Sequence, residues 1–379
     1  MRVLHLHSGF DAGGKELRAV RLMNLFGPAL DHAVVSAQPG AFGAAAAVDP
    51  GISVAYPADF PALAGPPRPG RLLALARAMA GHDLVLTYNW GAMDAVMAHT
   101  LFGQRLGLPP LVHHEDGFNE DEAERLKPLR NWYRRIGLGR AAGLIVPSAR
   151  LERIALEVWH QPRWRVRRIA NGIPTDAYAG EGAAAPRPDA LPRVIKRPGE
   201  RWLGTLAGLR AVKNLPRLVR AFSALPDDWH LVILGEGPER EAIRAAAIAL
   251  EIGHRVHLPG FVADPAAVLG LFDLFALSSD SEQFPISVVE AMAAGLAVAS
   301  PAVGDVATMV APENAPFIVA PGRDDALADA LLALAADPAM RGRIGAANRA
   351  KARAEYDEQA MLAAYARAYA HALGRAAFP

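Results

Sequence analysis

Short apolar runs alternate along this chain with longer stretches in which apolar residues recur every three or four positions. In the first half the runs are residues 2–7, 33–36, 84–88, 111–114 and 143–147, each bounded by turn residues. Between them, residues 16–26, 71–79, 94–106 and 129–138 carry the helical period. Strands alternating with helices predict parallel βαβ units and a doubly wound sheet. Residues 180–198, rich in Ala, Pro and Gly and without a clear period, read as a linker. A second alternation follows, with strands predicted at 202–206, 230–235, 255–258, 274–277, 297–299 and 317–319. Helices are predicted there at 214–225, 238–251, 266–272, 286–294 and 325–335. The α/β pattern thus predicts two Rossmann-like domains, 1–185 and 186–358, with a ligand cleft between them at the carboxyl ends of both sheets. The closing stretch 359–379, with its Ala-rich amphipathic core at 361–373, is expected to pack back on the first domain.

Charge and composition narrow the chemistry. With 40 Lys and Arg against 39 Asp and Glu over 379 residues, the net charge of +1 argues against a nucleic-acid binder of the simple basic kind. The absence of cysteine excludes disulfides, thiolate metal sites and a thiol nucleophile. No segment reaches the ~18–20 apolar residues of a membrane span, and residues 1–7 read as a first strand rather than a signal peptide. A cytoplasmic location is the expectation. Only five of the basic residues are Lys, so a Lys within a motif stands out against Arg, the default cation of this chain.

Five stretches carry candidate chemistry. Gly13-Gly14-Lys15-Glu16 follows the first strand and opens a helix. Glycines there let the backbone approach a ligand closely, and the free N–H groups of a helix start favour an anion, although an ordinary strand-to-helix turn looks the same. Leu234-Gly235-Glu236-Gly237-Pro238 has part of a dinucleotide fingerprint, but residue 240 is Arg and no suitably placed acidic residue follows. Arg210 and Lys213 sit in a loop after the second half's first strand, either to bind a diphosphate or as solvated surface charges. The segment Glu282-Gln283-Phe284-Pro285-Ile286, continuing to Glu290, is a polar loop running into a helix with Pro285 at its first turn. Two carboxylates flanking such a helix start can hold hydroxyls on either side of a diphosphate, a sugar on one side and a ribose on the other. His113-His114-Glu115-Asp116 closes a strand where open α/β sheets bind ligands, and His114 or Asp116 there can accept a proton or steady a developing cation. Adjacent histidines on a strand face opposite ways, which argues against a metal pair.

Together these residues resemble the retaining glycosyltransferases of family four, which have the GT-B fold. Gly13-Gly14-Lys15-Glu16 is similar to that family's Gly-Gly-x-Glu loop, and Asn171-Gly172-Ile173-Pro174 to the element that ends its N-terminal domain. Gly235-Glu236-Gly237-Pro238 is similar to its Gly-x-Gly-Pro turn, and Glu282 to Glu290 to its Glu-x7-Glu motif, all in the family's order. There are departures. Gly208 stands where the family commonly has Arg, with Arg210 two residues later; Gln283 replaces a Gly and Ala297 a Pro. The family's histidine in the first domain maps either to His114 or to the position held here by Asp116.

The resemblance implies transfer of a sugar from a nucleoside diphosphate sugar with retention of anomeric configuration and with no required cofactor or metal. Lys213, Arg210 and the helix start at 284–287 would meet the diphosphate, Glu282 the donor sugar and Glu290 the ribose. Phe261 and Val262 would lie beside the base. Gly14 would bring its N–H to a donor phosphate or the acceptor, and His114 or Asp116 would touch the sugar or acceptor. A nucleotide-sugar epimerase and a non-catalytic sugar-nucleotide binder are the alternatives on the same fold. For the acceptor, a glycan or lipid-linked glycan is expected. Twelve basic residues between Arg125 and Arg168, interleaved with Trp132, Tyr133, Trp159 and Trp164, suit peripheral contact with an anionic membrane. A solvated helical face over core aromatics is the plainer reading of the same residues.

Overall fold

The computed structural model describes residues 1–118, 122, 125–178, 186–191 and 194–379. Two compact units result, Met1–Ala170 with Met361–Pro379, and Asn171–Ala360. The first holds β1 (Arg2–His7), α1 (Gly14–Phe26), β2 (Asp31–Ser36), β3 (Ser53–Ala55), α2 (Pro69–Met79) and β4 (Leu84–Tyr88). It continues through α3 (Met93–Leu106), β5 (Leu111–His114), α4 (Pro128–Gly137), β6 (Gly143–Val146), α5 (Ala149–Glu157) and β7 (Val166–Arg168). The described strands form one parallel sheet in the order β3-β2-β1-β4-β5-β6-β7.

The second unit holds β8 (Arg201–Leu206), α6 (Leu215–Phe222), β9 (Trp229–Leu234), α7 (Arg240–Ala249), β10 (Val256–Gly260), α8 (Ala266–Leu269) and β11 (Leu274–Ala276). After these come α9 (Ile286–Ala293), β12 (Val298–Pro301), α10 (Val306–Met309), β13 (Ile318–Val319), α11 (Asp324–Ala336) and α12 (Pro338–Glu355). Its parallel sheet runs β10-β9-β8-β11-β12-β13. A last helix, α13 (Glu358–Ala372), starts at the end of this unit and continues into the first. In each sheet the order reverses beside the first strand, between β1 and β4 and between β8 and β11. The loops that follow those strands therefore diverge and open a crevice at each switch point.

Burial explains why the apolar runs became strands. Leu4, Leu6, Val85, Leu111 and Leu144 form one core layer with Met79, Val96 and Trp159 from the helices. On the opposite face, Val3, Leu86, Tyr88 and Val112 pack against α13 through Met361, Tyr365 and Tyr369. Those three recur every four residues and so share one helical face. Each such side chain, fully buried, contributes about 1.5–3 kcal/mol, enough together to dock an Ala-rich helix on the sheet. The second unit closes in the same way around Leu203, Phe222, Trp229, Leu231, Ile233, Leu274 and Leu331.

Several elements differ from the pattern reading. The strands β3 and β7 went unread because each is a three-residue edge strand with too few apolar positions to show a period. The helices α5 and α12 start from side-chain caps, Ser148 accepting from the Leu151 N–H and Asp337 from the Met340 N–H. Their periodicity is obscured, in α12 by buried Arg341 and Asn348 in place of apolar residues. The helix expected at 266–272 stops at Leu269, with Gly270 as its C-cap; a Cβ at that residue would come within 2.4 Å of Pro186, so glycine is required there.

The units divide at Ala170/Asn171, ahead of the 185/186 boundary read from composition. The reason is that Ile173 bridges to Asp357 and Thr175 Oγ1 donates to the Asp357 carboxylate, fixing residues 171–178 within the second unit. Part of the expected linker, residues 180–185 and 192–193, lies outside the described residues. The described part packs on the second unit, with Arg187 N–H donating to Ala267 O and Lys196 to Leu271 O and Asp273.

Candidate functional site

In the second unit every parallel strand delivers its following loop to the same sheet edge, and hydrogen bonds stitch those loops together. After β8, the Leu209 N–H donates to Glu236 O and the Glu239 N–H to Leu209 O; after β9, the Gly235 N–H donates to Gly260 O. Gly235 has φ of 137°, and a Cβ there would come within 1.9 Å of Ala207 O. The glycine of the incomplete fingerprint is thus required by backbone packed on backbone. Phe261, next after Gly260, is 74% exposed, whereas Val262 is buried beneath the loop.

The β8–β11 switch point brings Lys213 and Glu282 together. The Lys213 ammonium lies 2.5 Å from Glu282 Oε1, and the Ser279 hydroxyl donates to the same oxygen at 2.7 Å. Their loops are tied by Ser278 Oγ donating to Lys213 O and by Asp280 N–H donating to Val212 O. Arg210 is exposed at the start of that turn. Its Nε would lie 3.8 Å from a Cβ at Gly208, so the displaced guanidinium folds back over the residue that took the family's Arg position. Gln283 Oε1 is buried without a hydrogen-bond partner. Phe284 stands edge-on to Tyr356, and Pro285 caps α9, so the helix opens at Ile286 with N–H groups that have no partner in its own first turn.

Glu290 sits further inside α9. Burial pushes its carboxyl up to about 7, while a hydrogen bond donated by the Tyr178 hydroxyl at 3.0 Å acts in the opposite direction. Two residues of this region escaped sequence reasoning. Tyr178 gave no signal, because its partner lies 112 positions away. Gly304, after β12, has φ of 56° and packs on the 282–283 backbone, with the Asp305 N–H donating to Gln283 O. A Gly-Asp pair closing a strand was the available hint.

In the first unit, a pocket of about 800 Å³ opens at the β1–β4 switch point. It is lined by Ser8, Gly9, Asp11, Gly13, Lys15, Glu16, Trp90, Asp94, Arg130 and Tyr133, among others. Gly13 caps α1, and Gly14 is its first residue. Lys15 donates to Ser8 Oγ and pairs with Glu16. The Tyr133 hydroxyl donates to Asp94, itself paired with Arg71.

His114 and Asp116 have different fates. His114 is 1% exposed and stacked on Tyr88; its ring nitrogens meet Thr87 O and the Tyr369 hydroxyl. Burial drives its pKa down to about 3. Both nitrogens are committed to the interior, so the expectation that His114 meets a sugar is corrected: it anchors α13 to the sheet. Asp116 instead forms a two-point ion pair with Arg18 of α1, at 2.5 and 2.9 Å. Burial alone would raise its pKa, but the Arg18 guanidinium outweighs this and holds it below the usual carboxylate range.

The basic, aromatic stretch divides in two. Trp159 and Arg134 are buried, Arg134 lying over the Trp90, Phe118 and Trp159 rings and pairing with Glu115 and Glu122. Leu129, Trp132 (61%) and Trp164 are exposed, as are Arg125, Lys127, Arg135, Arg163, Arg167 and Arg168. Among the described residues no helix is long and apolar enough to cross a membrane, and no three His, Cys, Asp or Glu side chains converge as metal ligands.

Residues 12–177 match Glycosyltransferase Family 4, and residues 189–351 match the glycosyl transferases group 1. The chain is 27% identical to the 2-deoxystreptamine glucosyltransferase of Streptomyces kanamyceticus, over 68% of this chain and 69% of that protein. It is 30% identical to the lipopolysaccharide core biosynthesis glycosyltransferase LpsD of Rhizobium meliloti, over 51% of this chain and 49% of that protein. The matched stretches thus span about half to two-thirds of these relatives' lengths. The Anabaena HepE structure in complex with UDP and glucose superposes with a TM-score of 0.78 at 18% identity, covering 98% of this chain and 99% of that one, a likeness of fold. With both halves matched in order and two parallel Rossmann-like sheets of the GT-B type, the chain belongs to the family-four glycosyltransferases.

Proposed function

We propose that this chain transfers a glycosyl group from a nucleoside diphosphate sugar, with retention of anomeric configuration and without a required metal, to a glycan or lipid-linked acceptor in cell-surface polysaccharide synthesis. The observation that carries the reading is the Lys213–Glu282 pair beside the start of α9. A departing diphosphate needs positive charge that is already in place. Lys213, the Arg210 guanidinium over Gly208 and the N–H groups of 286–287 supply it without reorganising solvent. When the diphosphate engages Lys213, Glu282 is released to accept donor sugar hydroxyls and to face an oxocarbenium-like centre. Gln283 Oε1 supports the same assignment: an orphaned buried acceptor costs about 1–3 kcal/mol, which a sugar hydroxyl removes by donating to it.

Glu290 is assigned to the ribose, exposed Phe261 with Val262 to the nucleobase, and Phe284, Pro285 and Ile286 to the wall of the phosphate site. Gly235 supports the cradle by letting its loops meet. In the acceptor domain, Gly13 lines the pocket assigned to the acceptor, with Gly14 beside it opening α1, and Asp116 stands in the family's histidine position, with Arg18 keeping it ionised. The exposed Leu129, Trp132 and Trp164, with exposed arginines near them in sequence, are assigned to peripheral contact with the cytoplasmic face of an anionic membrane, where a lipid-linked acceptor would be presented.

The test is turnover of UDP-, GDP-, ADP- and dTDP-sugars, with and without EDTA, followed by NMR. Slow diphosphate release from one donor is expected, unchanged by EDTA and reduced ~100–1,000-fold in Lys213→Ala and Glu282→Ala. Conversion of the donor into an isomeric sugar nucleotide would make the protein an epimerase. Donor binding without release under any acceptor would make it a binding protein.

A further inference from the structure

Tyr178 ends the turn Thr175–Tyr178, and this turn has little freedom. Ile173 exchanges backbone hydrogen bonds with the 356–358 segment, its N–H donating to Tyr356 O and its carbonyl accepting from the Glu358 N–H. Thr175 Oγ1 donates to Asp357 Oδ2 at 2.7 Å. From this braced segment the Tyr178 ring reaches α9, and its hydroxyl donates to Glu290 Oε1 at 3.0 Å. The ring is buried, and Glu290 Oε2 has no hydrogen-bond partner among the described residues.

We propose that Tyr178 is a positioning residue for nucleotide binding: its hydroxyl clamps one oxygen of Glu290 and so presents the other oxygen to the donor ribose. The proposal rests on the ribose role assigned to Glu290 above. A free glutamate side chain in a desolvated site has several rotamers to choose from, and a clamp at one oxygen removes that choice before the nucleotide arrives. The same hydrogen bond opposes the effect of burial, which on its own favours the neutral carboxyl. An ionised carboxylate accepts from a ribose hydroxyl about twice as strongly as a neutral acceptor does.

The elements packed on α9 leave Tyr178 as the polar group directed at Glu290. On α12, Arg349 donates to Ala294 O and Arg353 faces Asp176. Asp264, preceding α8, acts on Tyr178 itself, and β12 (Val298–Pro301) brings no charged side chain.

The experiment uses the full chain and its Tyr178→Phe and Glu290→Gln variants. Titration calorimetry with UDP, GDP and ADP, and with the 2′- and 3′-deoxy forms of whichever binds, is run from pH 6 to 9. A ¹³C-glutamate NMR titration follows the Glu290 carboxyl directly. For the wild type, affinity should improve as the pH rises through about 7. In Tyr178→Phe the carboxyl midpoint should move upward, affinity at pH 7 should fall about tenfold, the size of one charge-assisted hydrogen bond, and much of the loss should return at pH 9. The penalty for removing a ribose hydroxyl should shrink in both variants.

Wild-type affinity and an unmoved midpoint in Tyr178→Phe, with binding lost in Glu290→Gln, would overturn the clamp and leave the ribose assignment standing. A loss in Tyr178→Phe that is equal at every pH would reduce Tyr178 to a packing residue and also overturn the clamp. Unchanged binding in Glu290→Gln, or no binding of any nucleotide to the wild type, would remove the ribose assignment on which the proposal rests.

Discussion

Lowering the pH from 7 to 5 is expected to loosen the first unit by several kcal/mol, because a chain of buried histidines there has no room for an added proton. Thr87 O can only accept, so His114 carries its proton on Nδ1 and its Nε2 accepts from the Tyr369 hydroxyl. His5 Nδ1 meets the Tyr88 hydroxyl, and His5 Nε2 meets His32 Nδ1. A proton added to His114 at Nε2 would set it against the Tyr369 hydroxyl that now donates there. Burial, the leading cause, accordingly lowers His114 to about 3 and His32 to about 4, and holds His5 and His7 well below their ordinary value.

An unfolded histidine titrates near 6.5, so between that value and the folded one the unfolded state binds more protons, and stability falls as the pH falls. From pH 7 to 5 the loss is about 1.9 kcal/mol for each of His114 and His32, about 4 kcal/mol together. Hydrogen exchange read by mass spectrometry is the assay, with intrinsic exchange rates corrected for pH. Protection of peptides covering β5 and α13 should fall by at least roughly 500-fold, His5 and His7 adding to the loss. Peptides covering α9 in the second unit should lose less, since Glu290 has a raised pKa and contributes with the opposite sign. A fall of under about tenfold in β5 and α13 would refute the reasoning, because the histidines would then be accepting protons within the fold.

Two further outcomes are expected. Gly235→Ala should destabilise the second unit by about 1–3 kcal/mol or more, through a positive φ and a Cβ driven into Ala207 O; a thermal melt unchanged within 1 °C (about the error of such a melt) would contradict the packing described. The chain should co-sediment with phosphatidylglycerol vesicles but not phosphatidylcholine vesicles, more weakly as salt is added. Leu129→Ser with Trp132→Ser should reduce that partition about tenfold or more, and equal binding to both lipids would count against the charged face.

The sequence by itself determined the two βαβ alternations, the order of the motifs and thereby the family, because buried parallel strands and glycine-bearing turns leave local signatures. Lys213, Glu282 and Glu290 were legible for the same reason: each stands at a fixed offset from a turn or a helix start. Which partners these residues take was decided by tertiary structure. Topology placed the loop after β8 beside the loop after β11, and so joined Lys213 to Glu282 across 69 positions. His114 reads in sequence as a ligand at a strand end; only the return of α13 over the sheet brings Tyr369 to its ring, 255 positions away, and turns it into core. The Arg18–Asp116 and Tyr178–Glu290 pairs are of the same kind. Local pattern follows from backbone geometry and solvent exposure, which act over a few residues. A side chain's protonation and its role depend on what packs against it, and that is settled only when distant segments meet.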